Sequence, residues 1–273
     1  MATTISKQKR IGIAGLGAIG KVLAVALHNG IPGAVLAAVS TRSVEQARAW
    51  LDSHGITTPV VNLSEMEERC DLVIECAPAA IFEEVARPML SAGKQVIVLS
   101  SGALLNHPDL IDLAAANGGR IFVPTGALLG LDALIAASEG TVHSVTMVTR
   151  KPPKGLLGAP YLELHGTKLD GITAPVRVFS GSVREAIAGF PANVNVAVGL
   201  SLAGIGPDRT KIEIWADPSM TRNKHTITVE SDSALLSMTI ENIPGENPKT
   251  GRITARSAIA LLRKMSAPLA IGT

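Results

Sequence analysis

At 273 residues, 47% of them apolar, the chain has ample material for a packed core and suits one large or two ordinary domains. Its 25 Lys and Arg stand against 23 Asp and Glu, for a net charge of +2, and aromatic residues make up only 3%. That balance excludes the basic stripe and stacking platform of a nucleic-acid binder, and the charged footprint of a protein held on a membrane surface.

Ile11 to Ala14 reads as a short buried strand that runs into Gly15-Leu16-Gly17-Ala18-Ile19-Gly20 and then a helix over Lys21 to Asn29. A second apolar strand covers Ala34 to Val39. Ser43 with Gln46 has the form of a capping box opening a helix to His54-Gly55, and Ser64 with Glu67 repeats that signal on a shorter helix. Asp71 to Cys76, Gln95 to Leu99 and Arg120 to Val123 read as further strands, separated by helices over Ile81 to Ala92 and Pro108 to Asn117. Strands alternating with helices imply right-handed crossovers and a parallel sheet covered on both faces.

Near Gly126 the texture changes. Val142 to Arg150, Val176 to Phe179, Lys211 to Ala216, His225 to Glu230 and Leu235 to Glu241 read as longer strands of mixed polarity. They suit an antiparallel or mixed sheet with one wet face. Helices over Ser182 to Phe190, with Ser182 and Glu185 as a capping box, and over Asn193 to Ala203 interrupt them. A last helix, Thr254 to Met265, could return to the first domain. The expected class is α/β, with an N-terminal Rossmann parallel sheet over 1–125, a smaller α+β substrate domain over 126–250, and a C-terminal segment over 251–273.

The glycine loop has the context that gives such a motif meaning: it follows a strand, opens a helix and lies in a βαβ unit. Gly15 permits the tight turn, Gly17 lets backbone approach a pyrophosphate, and Gly20 lets helix and strand pack closely. The helix N-terminus that follows offers N–H groups to phosphate, and Ala18 and Ile19 of the loop join the cofactor-binding candidates. The chain therefore reads as an NAD(P)-dependent oxidoreductase. About 20 residues on, where an acidic residue would read a ribose hydroxyl, stand Ser40-Thr41-Arg42. Thr41 and Arg42 would welcome a 2′-phosphate, so both NAD and NADP stay open, with a lean to NADP. Cys76-Ala77-Pro78 and Ser100-Ser101-Gly102-Ala103 fall at strand ends where such sheets bind ligands; Ala77 and Pro78 join the cofactor-binding candidates.

Hydride transfer also needs a group to handle a proton. Of the six histidines, His225 follows a polar loop and opens a strand in which His225, Ile227 and Val229 share one face. It therefore points inward at a loop-to-strand junction. Asp217 could orient it, although an Asp before Pro more often forms a turn. Cys70 and Cys76 lack the spacing of a metal knuckle and are too few for a disulfide framework, so reduced thiols and no metal site are expected. Met1 to Arg10 carries charge with no apolar stretch behind it, unlike a signal peptide, and no run approaches the roughly 18 apolar residues of a membrane span. A cytoplasmic location is expected.

Several blocks together resemble the L-aspartate dehydrogenase family. They are Gly15 to Gly20, Thr125-Gly126-Ala127 with Gly130 to Leu134, Thr149-Arg150-Lys151-Pro152-Pro153, Phe190 to Ala197, Ala216-Asp217-Pro218 with Arg222 to His225, and Asn247-Pro248-Lys249-Thr250. The resemblance implies oxidation of L-aspartate to iminoaspartate, or its reverse from oxaloacetate and ammonia, in a homodimer that feeds NAD biosynthesis. It also implies that His225 is catalytic and that Ala127 and one asparagine of Asn193 and Asn195 contact the dinucleotide. Two substrate carboxylates want cations, for which Lys151 and Lys249 are the favoured candidates. The chain departs from the family in lacking an acidic residue after the second strand and in carrying Gly251 where serine is expected. The rivals are another imine or carbonyl reductase on the same two-domain plan and a non-catalytic NAD(P)-binding sensor.

Overall fold

The computed structural model describes residues 8–191, 194–243 and 251–272. By compactness the chain forms two units: residues up to Pro124 together with Ala255–Ala270, and Thr125–Thr254 together with Ile271–Thr273.

The first unit carries β1 (Lys9–Ala14), α1 (Ala18–His28), β2 (Ala34–Ser40), α2 (Val44–Ser53), β3 (Val60–Val61), α3 (Met66–Arg69), β4 (Leu72–Glu75) and α4 (Phe82–Ser91). It continues through β5 (Gln95–Val98), α5 (Ser101–Leu104), α6 (Asp109–Asn117) and β6 (Arg120–Phe122). These strands form one sheet in the order β3-β2-β1-β4-β5-β6, parallel at every pairing. That is the doubly wound order in which chain direction across the sheet reverses between β1 and β4, and ligands bind beyond the strand ends at such a reversal. One core layer holds Ile11, Ile13, Leu23, Leu27, Leu51 and Ile74 with Ala258 and Leu262 of the last helix, and the opposite layer holds Val73, Phe82, Met89, Leu90 and Val98. Burial on both faces explains the near-continuous apolar runs of β1 and β4.

The second unit carries α7 (Leu131–Ala137), β7 (Val142–Lys151), α8 (Pro160–Leu164), β8 (Val176–Ser182), α9 (Val183–Gly189), α10 (Asn195–Ala203), β9 (Lys211–Ala216), β10 (Asn223–Ser231) and β11 (Leu235–Asn242). The last helix, α11 (Arg252–Ser266), starts in this unit, and from Ala255 onward it belongs to the first. The strands make a mixed sheet ordered β11-β10-β7-β9-β8, in which only the β7–β9 pair is parallel. In β7, Val145, Met147, Thr149 and Lys151 are buried on one face while Ser144, Thr146, Val148 and Arg150 on the other are partly exposed. The period-2 pattern of a half-wet sheet is thus realised.

Two capping expectations are corrected. Ser43 makes no side-chain cap bond on α2, and Ser64 is not a cap; the box before α3 is formed by Asn62 and Glu65. The Ser182–Glu185 box on α9 forms, with the Ser182 backbone N–H donating to the Glu185 carboxylate at 2.7 Å and the Glu185 N–H to Ser182 Oγ at 3.2 Å. The helix after the glycine loop begins at Ala18, a turn earlier than apolar periodicity suggests. The short elements β3, α5, α7 and α8 had no periodic signal of their own.

Candidate active site

In the first unit, the loop joining β1 to α1 lies at the sheet's reversal point. The Gly15 N–H donates to Ser40 O at 2.7 Å, and the Cys76 N–H to Ala14 O at 2.8 Å, which ties the ends of β1, β2 and β4 together. Gly15 has φ +105° and a Cβ there would meet the Cys76 carbonyl at 2.6 Å, so both conformation and space demand glycine. A Cβ on Gly20 would overlap the Gly15 carbonyl oxygen. Gly17 is different: its φ is −80° and a Cβ would meet nothing within 4 Å. The protein's own packing does not require glycine at 17, whereas a pyrophosphate drawn against the backbone does. Ala18 and Ile19 open α1, no side chain caps that helix and its first turn holds no acidic residue, so the positive end of the helix dipole is left for an anion. The residues present fit a dinucleotide.

Around this loop, Thr41 is half-buried, and Arg42 is exposed with no ion pair among the described residues. The neighbouring Ser43 hydroxyl also makes no cap bond. Ala77 and Pro78 follow β4, half-buried and exposed respectively. Sequence reading missed Glu75, fully buried at the end of β4. Its carboxylate accepts from Ser100 N at 2.8 Å, Leu99 N at 3.2 Å and Ser100 Oγ at 3.0 Å, and also from the Ala77 N–H. Burial pushes its pKa up while these bonds oppose that shift. Glu75 clamps the β4 and β5 ends; a carboxylate inside an apolar strand was the available signal. Burial pushes both thiols up, Cys70 to about 11, which leaves them unreactive.

In the second unit, His225 near the start of β10 is 3% exposed, and Ile227 and Val229 continue its buried face. The ladder places Thr149 of β7 directly opposite, on the same face, and Thr149 Oγ1 lies 3.1 Å from His225 Nδ1. Lys151, two residues along β7, is 4% exposed, and burial pushes its pKa down to about 8. Burial first, and the Lys151 charge second, hold His225 down to about 3, so its ring is neutral near pH 7. Asp217 is buried but forms a turn: it accepts from Ser219 Oγ at 2.6 Å and Ser219 N at 3.0 Å, with Arg150 at 3.6 Å. Those partners hold its carboxyl below the usual range, the Ser219 hydroxyl most of all. Arg150 also lies over the Trp215 ring at 4.6 Å. The residue against the His225 ring is therefore Thr149, not Asp217.

Ala127 is buried in the loop before α7, and its carbonyl accepts from Asn242 Nδ2 at 3.1 Å. Asn242 pairs with Asn223 across β10 and β11, which puts it on the same face as His225. Sequence reading also missed this residue. Asn195 begins α10, half-buried. Asn193 and Lys249 lie outside the described residues.

A family model described as aspartate dehydrogenase, C-terminal, matches residues 132–265, and one described as homoserine dehydrogenase, NAD binding domain, matches 15–124. An L-aspartate dehydrogenase of Bordetella bronchiseptica is 57% identical over 96% of this chain and 97% of its own length. The chain belongs to the L-aspartate dehydrogenase family. Another member, from Bradyrhizobium diazoefficiens, is 53% identical over 99% of this chain and 96% of its own length. The crystal structure of aspartate dehydrogenase from Thermotoga maritima superposes with a TM-score of 0.75 at 27% identity, covering 97% of this chain and 100% of that one. The family resemblance carried by the blocks after Gly126 is thus borne out, as is the two-sheet fold class.

Proposed function

We propose that the chain catalyses NAD(P)-dependent oxidation of L-aspartate to iminoaspartate, or the reverse amination of oxaloacetate, with His225 handling the proton. The observation that carries this reading is a buried, neutral imidazole held by Thr149 beside a buried lysine, in a chain 57% identical to a named L-aspartate dehydrogenase.

Aspartate arrives as an ammonium dicarboxylate, and its amine must lose a proton before Cα can release hydride. His225, neutral across the working range, has a lone pair free to take that proton, directly or through water. The dinucleotide, when bound, supplies the hydride acceptor. Lys151 holds a substrate carboxylate in its charged form, which predominates below about pH 8. That carboxylate in turn offsets the positive charge depressing His225 and moves the imidazole towards the pKa a general base needs. Lys249 is proposed for the second carboxylate. Gly15, Gly17, Ala18, Ile19 and Gly20 cradle the pyrophosphate, with Ala77 and Pro78 at the neighbouring strand end. Thr41 and Arg42 read the ribose, and Arg42, unpaired by any described carboxylate, favours a 2′-phosphate. Ala127 and an asparagine of the Asn193 and Asn195 pair serve the nicotinamide end. A cytoplasmic homodimer is the proposed working form.

The test follows nicotinamide absorbance with L-aspartate, L-glutamate and L-homoserine, supplying NAD and NADP in parallel. Reduction that depends on L-aspartate, with the other two at least tenfold slower, supports the assignment. No turnover with aspartate, and none from oxaloacetate plus ammonium, contradicts it and leaves the imine-reductase and sensor readings.

A further inference from the structure

The buried face of β7 runs Val145, Met147, Thr149, Lys151, and that of β10 runs Val229, Ile227, His225, so Thr149 is where the aliphatic part of the row ends, directly opposite the imidazole. Thr149 is 2% exposed, and its hydroxyl lies 3.1 Å from His225 Nδ1. Valine has the same shape and would fill the position without burying a polar atom, so the hydroxyl has a role beyond packing. A β-branched side chain on a strand is also stiff at χ1, which fixes where that oxygen sits. The carboxylate that could have taken this place, Asp217, is engaged by Ser219 and Arg150.

We propose that Thr149 is a positioning residue that selects the tautomer of His225: Nδ1–H donates to Thr149 Oγ1, and Nε2 keeps the lone pair that exchanges a proton with substrate. This rests on the reading of His225 as the acid/base, because a base acting through Nε2 requires the hydrogen on Nδ1. A hydroxyl partner differs from a carboxylate in consequence. It orients the ring while stabilising the imidazolium far less than a carboxylate would, so the proton taken up by Nε2 is passed on rather than held.

The experiment compares wild type with Thr149→Val, Thr149→Ser and His225→Ala, each as the full chain saturated with dinucleotide. Histidine-labelled 15N NMR reads the tautomer, with the His225 signal assigned by its loss in His225→Ala. Steady-state kinetics and dinucleotide titration accompany it. Expected is the Nδ1–H form in wild type and a move in Thr149→Val towards Nε2–H, which unconstrained neutral imidazole favours. In that variant kcat should fall by about tenfold to hundredfold, less than the ~100- to 10,000-fold that a positioned general base contributes, while dinucleotide affinity holds. Thr149→Ser should restore both tautomer and rate. An Nε2–H wild-type ring overturns the proposal, as does a Thr149→Val enzyme with unchanged tautomer. A fall in dinucleotide affinity matching the fall in kcat also overturns it, by marking a structural role. Full turnover in His225→Ala is a separate failure: it removes the acid/base reading itself, whatever the tautomer spectra show.

Discussion

At His225 two residues and burial set the environment of the proposed acid/base: Thr149 lies against the ring, Lys151 adds charge beside it, and burial sets its neutral state. The consequence for stability has a definite sign. With the folded-state pKa at about 3 against an ordinary 6.5, the unfolded chain binds the proton first as pH falls. Stability attributable to His225 is therefore intact above about pH 6.5 and declines as pH drops from there towards 3. Thermal unfolding across that window should show a shallower acid decline in His225→Gln than in wild type; equal slopes would contradict a buried neutral imidazole. Lys151 acts at the other end of the scale. As pH rises through about 8 its ammonium deprotonates, so the KM for oxaloacetate at saturating ammonia should rise there. Lys151→Arg, always charged, should lose that dependence if it folds with the guanidinium in place, and a flat wild-type KM would remove Lys151 from the substrate site.

At the scale of elements, the β1–α1 turn separates what folding requires from what binding requires. Gly20→Ala sets a methyl against the Gly15 carbonyl and should destabilise the first unit by about 1–3 kcal/mol or more, read by denaturant midpoint. Gly17→Ala has open space and ordinary φ, so stability should change by less than about 0.5 kcal/mol while dinucleotide affinity falls at least tenfold. If Gly17→Ala binds dinucleotide as wild type does, the pyrophosphate is not where the loop places it. Glu75→Gln swaps one acceptor oxygen of the strand-end clamp for an NH2 facing N–H donors, and should cost stability as well as affinity. The elements that sequence made legible are the long periodic ones and the glycine turn, because alternation and glycine placement follow directly from burial and φ. Asn62 in place of Ser64 as a cap, the Glu75 clamp and the Thr149–His225 contact were not legible. A cap depends on where the chain bends, and the other two depend on strand register, which periodicity cannot supply.

At the scale of the molecule, the parallel sheet carries the glycine turn and the mixed sheet carries His225, to which the proposed mechanism gives the proton. Family membership joins both in one activity. Among the described residues, no helix is long and apolar enough to cross a membrane. Family-like blocks such as the glycine turn, Thr149 to Pro153 and Ala216 to Pro218 were readable because they sit at a turn or strand end where chemistry restricts residue choice. How β7 and β10 bring Thr149 and His225 together, 76 positions apart, emerges only from the fold. The most direct test is L-aspartate-dependent reduction of the dinucleotide by wild type and His225→Ala, with dinucleotide affinity measured for both. Expected is aspartate-dependent turnover in wild type, a loss of about 100-fold or more in the variant, and equal affinity in both. Comparable turnover by both proteins would contradict His225 as the acid/base on which the proposed mechanism turns.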